Sequence, residues 1–266
     1  MSSADVAELR AVHDEELRGR MPGPLPRDVR VEQDGPLLRY RGFTFGGFID
    51  YRDLGGLDGA ALDELIERQV RAFAADGERF EWKLYGHDLP ADLPDRLRAA
   101  GFAAEETETV VIAPVAAIAA EPRPPVGVTI REVTSRADLE RIAALQTAVW
   151  DEDISGTADF LEDERDADPD ALVIVVAEAG DTMVCAAWIR FPPDTEFATF
   201  WGGATLEAWR GRGIYRALVA YRANLAAARG CRYLEVDASD DSRPILERLG
   251  FVAVTTTTPY IWSPAV

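Results

Sequence analysis

One strand–turn–helix unit constrains the fold of this chain more than any other segment. The β-branched and aromatic run 197–205 predicts a strand, and 214–229 predicts a helix with apolar residues at three- and four-residue steps. The turn between them contains Gly211, Gly213 and several arginines. Glycine lets an anion approach the backbone, the first turn of a helix offers free N–H groups, and arginine adds a charge suited to phosphate. The unit therefore predicts a pyrophosphate-binding site.

The residues after the turn exclude two common phosphate motifs. A Walker A loop needs Gly-Lys-Ser/Thr, whereas Gly213 is followed by Ile214 and Tyr215. A dinucleotide fingerprint needs a third glycine where Arg216 stands. The remaining pattern, Arg210-x-x-Gly213-x-Tyr215, resembles the Arg/Gln-x-x-Gly-x-Gly/Ala loop of the GCN5-related N-acetyltransferases, the GNAT family. The tyrosine departs from that pattern, so the chain must turn there without a small residue, or the ring must point outward.

The resemblance implies acetyl-CoA as co-substrate, because this loop binds the pyrophosphate of acetyl-CoA in the family. The strand before the loop is expected to pair its backbone with the pantetheine arm. The cofactor-binding residues implied in this way are Gly203, Ala204, Thr205, Arg210, Gly211, Arg212, Gly213, Ile214, Tyr215 and Arg216.

The rest of the second half fits the same domain. Further strands are predicted over 128–133, 172–179, 182–191, 233–237, 251–255 and 259–262, and further helices over 137–150, 160–165 and 242–249. Gly250 is placed to cap the last helix in a left-handed conformation. The order β-α-α-β-β-β-α-β-α-β-β over 127–266 covers the whole family domain. The predicted fold class is therefore α/β (α+β), the acyl-CoA N-acyltransferase fold, with a central mixed, twisted sheet flanked by helices.

A long-period repeat relates the two halves of the chain. A shift of 149 residues places the Gly-Phe pair at 250–251 on the one at 101–102. In this register the helix 214–229 falls on 65–80 and the strand 233–236 falls on 84–87. The arginine-glycine turn falls on 61–64, which reads Ala-Leu-Asp-Glu and cannot hold a phosphate. We therefore predict two tandem copies of one fold, of which the first is truncated and degenerate.

Composition supports this division and limits the partners. The proline-rich segment 119–125 predicts a linker between a degenerate domain, 1–120, and a GNAT domain, 127–266. The net charge of −19 argues against binding to nucleic acid or to an anionic membrane, because both need clustered basic residues. No apolar run reaches spanning length, and the two cysteines form no disulfide framework. We expect a cytoplasmic protein, as monomer or homodimer, that acts on a small-molecule or peptide amine.

The resemblance implies direct transfer of an acetyl group, in which a general base takes a proton from the attacking amine. Glu235 lies on the strand after the cofactor helix, at a position where some members carry a catalytic glutamate, and it is the predicted catalytic residue. The alternative is an outward side chain that pairs with Arg232. Water or the acidic loop at 151–153 would then serve as the base. The same loop would also suit the entrance of a cationic amine.

The usual proton donor of the family is missing. Many members carry a tyrosine four residues before the closing Gly-Phe pair, and Leu246 stands there. The alternatives are Tyr215, Tyr260 or water, and a thiolate with a pKa of about 8.5 can also leave without full protonation. His13 and His87 have no partners at ligand spacing, so no metal site is predicted.

Three function classes follow. The favoured one is an acetyl-CoA-dependent N-acetyltransferase acting on a primary amine of a small molecule or peptide. The second is a non-catalytic acyl-CoA-binding protein, which Leu246 and the degenerate first half make plausible. The third is an acyltransferase that uses a longer acyl-CoA or an oxygen acceptor.

Overall fold

The structure, a computed structural model, describes residues 3–264. The helices are α1 (Ser3–Leu17), α2 (Gly59–Ala75), α3 (Leu93–Ala99), α4 (Val115–Ile118), α5 (Arg136–Trp150), α6 (Thr157–Ala167), α7 (Ile214–Ala228) and α8 (Arg243–Leu249). The strands are β1 (Arg30–Asp34), β2 (Leu37–Arg41), β3 (Gly47–Asp50), β4 (Phe80–Tyr85), β5 (Ala103–Ala104), β6 (Glu108–Pro114), β7 (Val128–Val133), β8 (Leu172–Ala179), β9 (Thr182–Arg190), β10 (Phe197–Thr205), β11 (Tyr233–Ala238) and β12 (Val252–Trp262). Among these residues, every helix is too short or too polar to cross a lipid bilayer.

All the strands belong to one mixed sheet. Its order is β1-β2-β3-β4-β12-β6-β11-β10-β9-β8-β7, and the short β5 pairs with β12. The pairs β3–β4 and β10–β11 are parallel, and the other neighbours are antiparallel. Each half therefore contains one parallel pair, reached through one crossover helix, which is α2 in the first half and α7 in the second.

Helices cover both faces of the sheet. The face that carries α2, α3, α4, α7 and α8 buries alternate strand residues such as Trp82, Val111 and Leu234; we call it the α7 face. The opposite face carries α1, α5 and α6 and buries residues such as Ile112 and Ile174; we call it the α1 face. This alternation follows from the two-residue period of a strand, and it decides which charged side chains share a surface.

The two halves repeat one arrangement, as the sequence predicts. Three antiparallel strands, a helix, a parallel strand, a short helix and a closing strand occur in each half. The second half adds β7, α5 and α6 before them, whereas only α1 precedes them in the first half. Within residues 3–264 the first copy therefore lacks counterparts of β7, α5 and α6.

The closing strands are exchanged between the halves. β6 comes from the first half and pairs with β11 of the second half over residues 109–114. β12 comes from the second half and pairs with β4 of the first half over residues 257–262. The two exchanged strands also pair with each other. The predicted boundary at 120–127 stays a prediction, but each half contributes a central strand to the other.

Three sequence expectations are corrected. β4 spans 80–85 instead of 84–87, because Phe80, Trp82 and Leu84 are the residues that alternate into the core. α2 spans 59–75 instead of 65–80 and begins after Asp58. The two expected closing strands are one strand, 252–262, since the threonines at 255–258 continue the ladder after a bulge.

We expect that the fragment 127–266 does not fold alone, because it lacks β6, which separates β11 from β12. Its unpaired sheet edges would promote aggregation. The fragment 105–266, which restores β6 beside both neighbours, is the matched control and is expected to be more soluble and more helical. Size-exclusion chromatography and circular dichroism of both fragments test this, and an equally monomeric, folded 127–266 would contradict it.

Candidate functional site

The site begins where the parallel strands β10 and β11 separate. They are paired from Phe197–Tyr233 to Thr199–Glu235, and no pairing follows. β10 continues along β9, with an irregularity between Trp201 and Ala204. The two strands therefore open like a V whose last paired position contains Glu235.

The predicted turn and helix lie at the mouth of this opening. Gly213 has φ of 83° and directly precedes the first turn of α7, where no side chain caps the helix. The first-turn N–H groups of α7 are thus directed at the opening and are available to an anion. A side chain at position 213 would force a conformation that L-residues rarely adopt, which explains the glycine.

Three arginines surround this helix start. Arg210 donates from Nε to the carbonyl of Thr205 at 3.1 Å, and the guanidinium of Arg212 lies 4.7 Å from the ring centroid of Trp209. Within residues 3–264, neither these two nor Arg216 forms an ion pair with a carboxylate. In a chain with a net charge of −19, three unpaired cations at one helix start favour an anionic ligand.

All ten residues implied by the family resemblance line one cavity of about 770 Å³. Its remaining walls come from the end of α5, the turn after β10, the loop before α8 and α8 itself; they are Val149, Trp150, Trp209, Ser239, Asp241, Ser242, Ile245, Arg248 and Leu249. Because α5 and α8 lie on opposite faces of the sheet, the cavity runs between the separated strands. Its contact with a ligand stays a prediction.

The position of Tyr215 shows how a large residue fits where the family loop has glycine or alanine. Its ring neither points outward nor disturbs the turn, because Gly213 makes the turn and Tyr215 already lies in α7. The ring packs on Gly203, where a Cβ atom would come within 2.9 Å of Tyr215 Cε2. Burial raises the pKa of the Tyr215 hydroxyl above its usual value. The glycine in β10 thus makes room for the tyrosine.

Glu235 lies on the α1 face at the apex of the V. It is 5% exposed, so it is not the outward residue of the alternative reading, and Arg232 pairs with Glu196 instead at 2.7 Å. Burial raises the pKa of Glu235 well above its usual value, and the charge of Asp237 raises it further, whereas Lys83 lowers it. A carboxylate with a raised pKa is a stronger base near neutral pH.

The neighbours of Glu235 were missed by the sequence reasoning. Asp237 follows two residues later on the same face and forms an ion pair with Lys83 of β4. Glu108 of β6 lies nearby, and burial together with the charge of Asp237 raises the pKa of Glu108 to about 7. Two of these three groups come from the first half. The alternation of β11 signals Asp237, but only the exchanged strands bring Lys83 and Glu108 to it.

The candidate proton donors differ in position. Leu246 is fully buried in the core, and Tyr260 is buried in the core of the first half, remote from the cavity. Tyr215 lines the cavity. Ser239 and Ser242, which were not among the predicted donors, line it too, and their Oγ atoms lie 3.2 Å apart. Position therefore disfavours Tyr260 as the proton donor.

The acidic loop at 151–153 is exposed and does not line the cavity. Trp150 lines the cavity, and Trp201 lies on the α1 face with its ring 5.7 Å from Lys83 Nζ.

His87 approaches Asp14 Oδ2 and Thr255 Oγ1 at 2.8 Å each, and His13 is buried against Tyr85. Residues 3–264 contain no cluster of three or more metal-ligating side chains.

The first half has an equivalent opening between β3 and β4, where a cavity of about 950 Å³ is lined by Arg18 and by acidic side chains such as Asp14 and Asp88. Arg18 is 2% exposed and stacks on Tyr85, with Cζ 3.9 Å from the ring centroid. Its Nη2 donates to Asp88 at 2.7 Å, and its Nη1 donates to Asp14 at 3.2 Å. The loop before α2 carries Asp53 and Asp58 where the second half carries arginines. We expect no phosphate ligand here.

Replacing Arg18 with methionine is expected to lower the free energy of unfolding by about 3 kcal/mol, because it leaves the buried Asp88 carboxylate without its cation. Arg52→Met is the matched control, since Arg52 is 59% exposed and such a side chain contributes less than about 0.5 kcal/mol. Urea denaturation measures both. Equal denaturation midpoints for the two variants would contradict a structural role for Arg18.

Comparison with known proteins agrees with this geometry. Residues 136–251 match the sequence model of the acetyltransferase (GNAT) family. A GCN5-related N-acetyltransferase from Kribbella flavida has a similar fold, with a TM-score of 0.69 and 18% identity over 98% of this chain and 96% of that one. A tandem GNAT protein from the clavulanic acid biosynthesis pathway gives a TM-score of 0.64 and 12% identity over 98% and 94%.

A third structure, a GCN5-related N-acetyltransferase from Sphaerobacter thermophilus, gives a TM-score of 0.60 and 13% identity over 90% of this chain and 77% of that one. Comparison with curated proteins gives no match. The structural likeness extends over both halves, whereas the sequence match lies in the half that carries the arginine-glycine turn. Residues 136–251 thus match the acetyltransferase (GNAT) family in sequence, and both halves share the fold of solved proteins that carry the family's name.

Proposed function

We propose that the protein is an acetyl-CoA-dependent N-acetyltransferase that acts on a primary amine of a small molecule or peptide. The observation that carries the proposal is the uncapped start of α7, with Arg210, Arg212 and Arg216, at the mouth of a cavity between separated strands. The family match supports an acetyltransferase. The two free cysteines fit a reducing, cytoplasmic setting.

The residues present fit the co-substrate. The first-turn N–H groups of α7 and the three arginines would hold the pyrophosphate. The free edge of β10 at Gly203–Thr205 would pair with the pantetheine amides, since no strand pairs with it on the side of β11. When bound, acetyl-CoA supplies a thioester whose carbonyl carbon accepts the amine. The cavity volume of about 770 Å³ suits a ligand of that size.

The chain's own residues then arrange the transfer. An amine reaches the apex of the V from the α1 face, where Glu235 removes its proton directly or through water. The aromatic ring of Trp201 and the carboxylates of Glu108 and Asp237 form the surface that it meets. Ser239, Ser242 or Tyr215 can donate a hydrogen bond near the thiolate, which needs little further assistance because its pKa is about 8.5.

One observation favours a second candidate, an acyl-CoA-binding protein without catalysis. The position of the family's tyrosine donor is occupied by Leu246, which is fully buried in the core. Such a protein would keep the cavity and the arginines and would not need Glu235 to titrate. The buried carboxylate at the apex of the V argues for the enzyme, because burying it without a role only costs stability.

Thiol release from acetyl-CoA in the presence of a panel of primary amines tests the proposal. Steady turnover with at least one amine, together with CoA binding by calorimetry, supports the enzyme. Binding without turnover over the whole panel favours the acyl-CoA-binding protein. Competition by longer acyl-CoA esters and a parallel panel of alcohols identifies the third class, with another acyl chain or an oxygen acceptor. Absence of CoA binding removes all three.

A further inference from the structure

Lys83 is the only lysine of the chain, and it lies in the half that lacks the phosphate loop. Its strand, β4, is separated from β11 by β12 and β6. The side chain nevertheless reaches across both exchanged strands on the α1 face and forms an ion pair with Asp237. The first half thus places a cation beside the carboxyl pair of the second half.

The surroundings of Lys83 are polar and partly enclosed. Its side chain is 26% exposed, and that of Asp237 is 11% exposed. The rings of Trp201 and Tyr85 have their centroids 5.7 and 5.9 Å from Nζ. The second oxygen of Asp237, Oδ1, is buried and has no hydrogen-bond partner among residues 3–264. The ion pair is therefore the main contact that orients the Asp237 carboxylate.

Several titratable groups face this ion pair. They are Glu81 and Tyr85 from β4, Glu108 from β6, Glu235 from β11 and Asp50 from β3. Burial disfavours the Lys83 ammonium, but the charge of Asp237, with further contributions from its acidic neighbours, outweighs burial and raises the pKa of Lys83 well above its usual value. Lys83 therefore stays cationic over the pH range in which carboxyl groups titrate.

We propose that Lys83 is a positioning residue for the acetyl transfer: its ion pair holds the Asp237 side chain in place, so that Glu235 is the member of the carboxyl pair that gains and loses the proton. The catalytic part of this inference rests on the proposed function, whereas the electrostatic part does not. Two carboxyl groups on the same face of one strand, two residues apart, disfavour each other's ionisation unless a cation is near. The first half would then act on the reaction chemistry as well as on packing.

Nuclear magnetic resonance of protein made with ¹³C,¹⁵N-lysine tests the electrostatic part, since the chain yields one lysine side-chain signal. The chemical shift of this signal is expected to follow the titration of Glu235. That step should persist in Glu108→Gln and disappear in Glu235→Gln, while the exposed Glu247→Gln is the control. A Lys83 signal whose titration is the same in wild type and in Glu235→Gln would overturn the proposal.

Kinetics test the catalytic part with Lys83→Met, Lys83→Arg and the surface control Arg71→Met. In Lys83→Met the acidic limb of the kcat/KM profile is expected to move up by about one to three pH units, with the KM for acetyl-CoA changed less than about twofold. Lys83→Arg should restore most of the original profile. Equal loss in both Lys83 variants at every pH, without a shift of the limb, would show a purely structural role and overturn the proposal.

The two arms separate the possible failures. If wild type lacks turnover but the lysine signal follows Glu235, the proposed function fails and the electrostatic coupling stands. If wild type turns over and the lysine signal ignores Glu235, the proposed function stands and Lys83 has no positioning role. Circular dichroism of each variant identifies any that has lost its fold.

Discussion

Replacing Glu235 with glutamine is expected to lower kcat by about 10²–10⁴-fold, the usual contribution of a general base. Glutamine keeps the shape of the side chain at the apex of the V and removes its basicity. The KM for acetyl-CoA should change little, because Glu235 does not line the cavity that holds the arginines. Steady-state kinetics over a range of pH measure the effect, and Glu247→Gln, an exposed change of the same kind on α8, is the control.

The direction in which activity changes with pH follows from the pKa of Glu235. A general base works only when deprotonated, and burial and Asp237 raise the pKa of Glu235. The acidic limb in wild type is therefore expected above the ordinary carboxyl range, with activity rising as pH increases through it. In Glu235→Gln this limb should flatten, apart from any contribution of Glu108, whose pKa is about 7. Full activity of Glu235→Gln at every pH would show that the carboxylate is structural.

Gly213→Asp is expected to weaken CoA binding by at least tenfold, or about 1.4 kcal/mol. The φ of 83° at this position strains any L-residue. A Cβ atom there would lie 3.6 Å from Arg216 Nη2, so the new carboxylate could pair with that arginine. It would also place a negative charge at the helix start that the pyrophosphate needs.

Gly180→Asp is the matched control for Gly213→Asp. Gly180 lies in the turn between β8 and β9 with φ of 58°, and a Cβ atom there meets nothing within 4 Å. Gly180→Asp introduces the same kind of backbone strain and the same added charge as Gly213→Asp, but away from the cavity. Calorimetry should show normal CoA affinity for this control. Equal affinities for both variants would remove the basis for assigning the ligand to this loop.

The sequence predicted the second half well because its signals are local. Gly213 marks a left-handed turn, the apolar residues of 214–229 have helical spacing, and Gly250 caps α8 as expected, with φ of 114°. Each of these depends on a few consecutive residues. The ten predicted cofactor residues line one cavity for the same reason, since they belong to one strand end, turn and helix start.

The remaining features depend on contacts between distant segments. A sequence register can suggest that β6 and β12 are equivalent, but it does not reveal that each pairs beside the other half's parallel strand. No local pattern singles out Lys83, because its partner Asp237 lies 154 residues away in the sequence. The inward ring of Tyr215 likewise depends on the absence of a side chain at Gly203, in a different element.

The exchanged strands also set an order of events during synthesis. β12 is translated after every other described element, and until it pairs, β4 and β6 each present an open edge to other chains. The first half therefore cannot complete its sheet as it leaves the ribosome, although it is made first. Long-range pairing of this kind slows folding and prolongs exposure to aggregation. A nascent chain stalled after β6 should engage chaperones until the second half emerges.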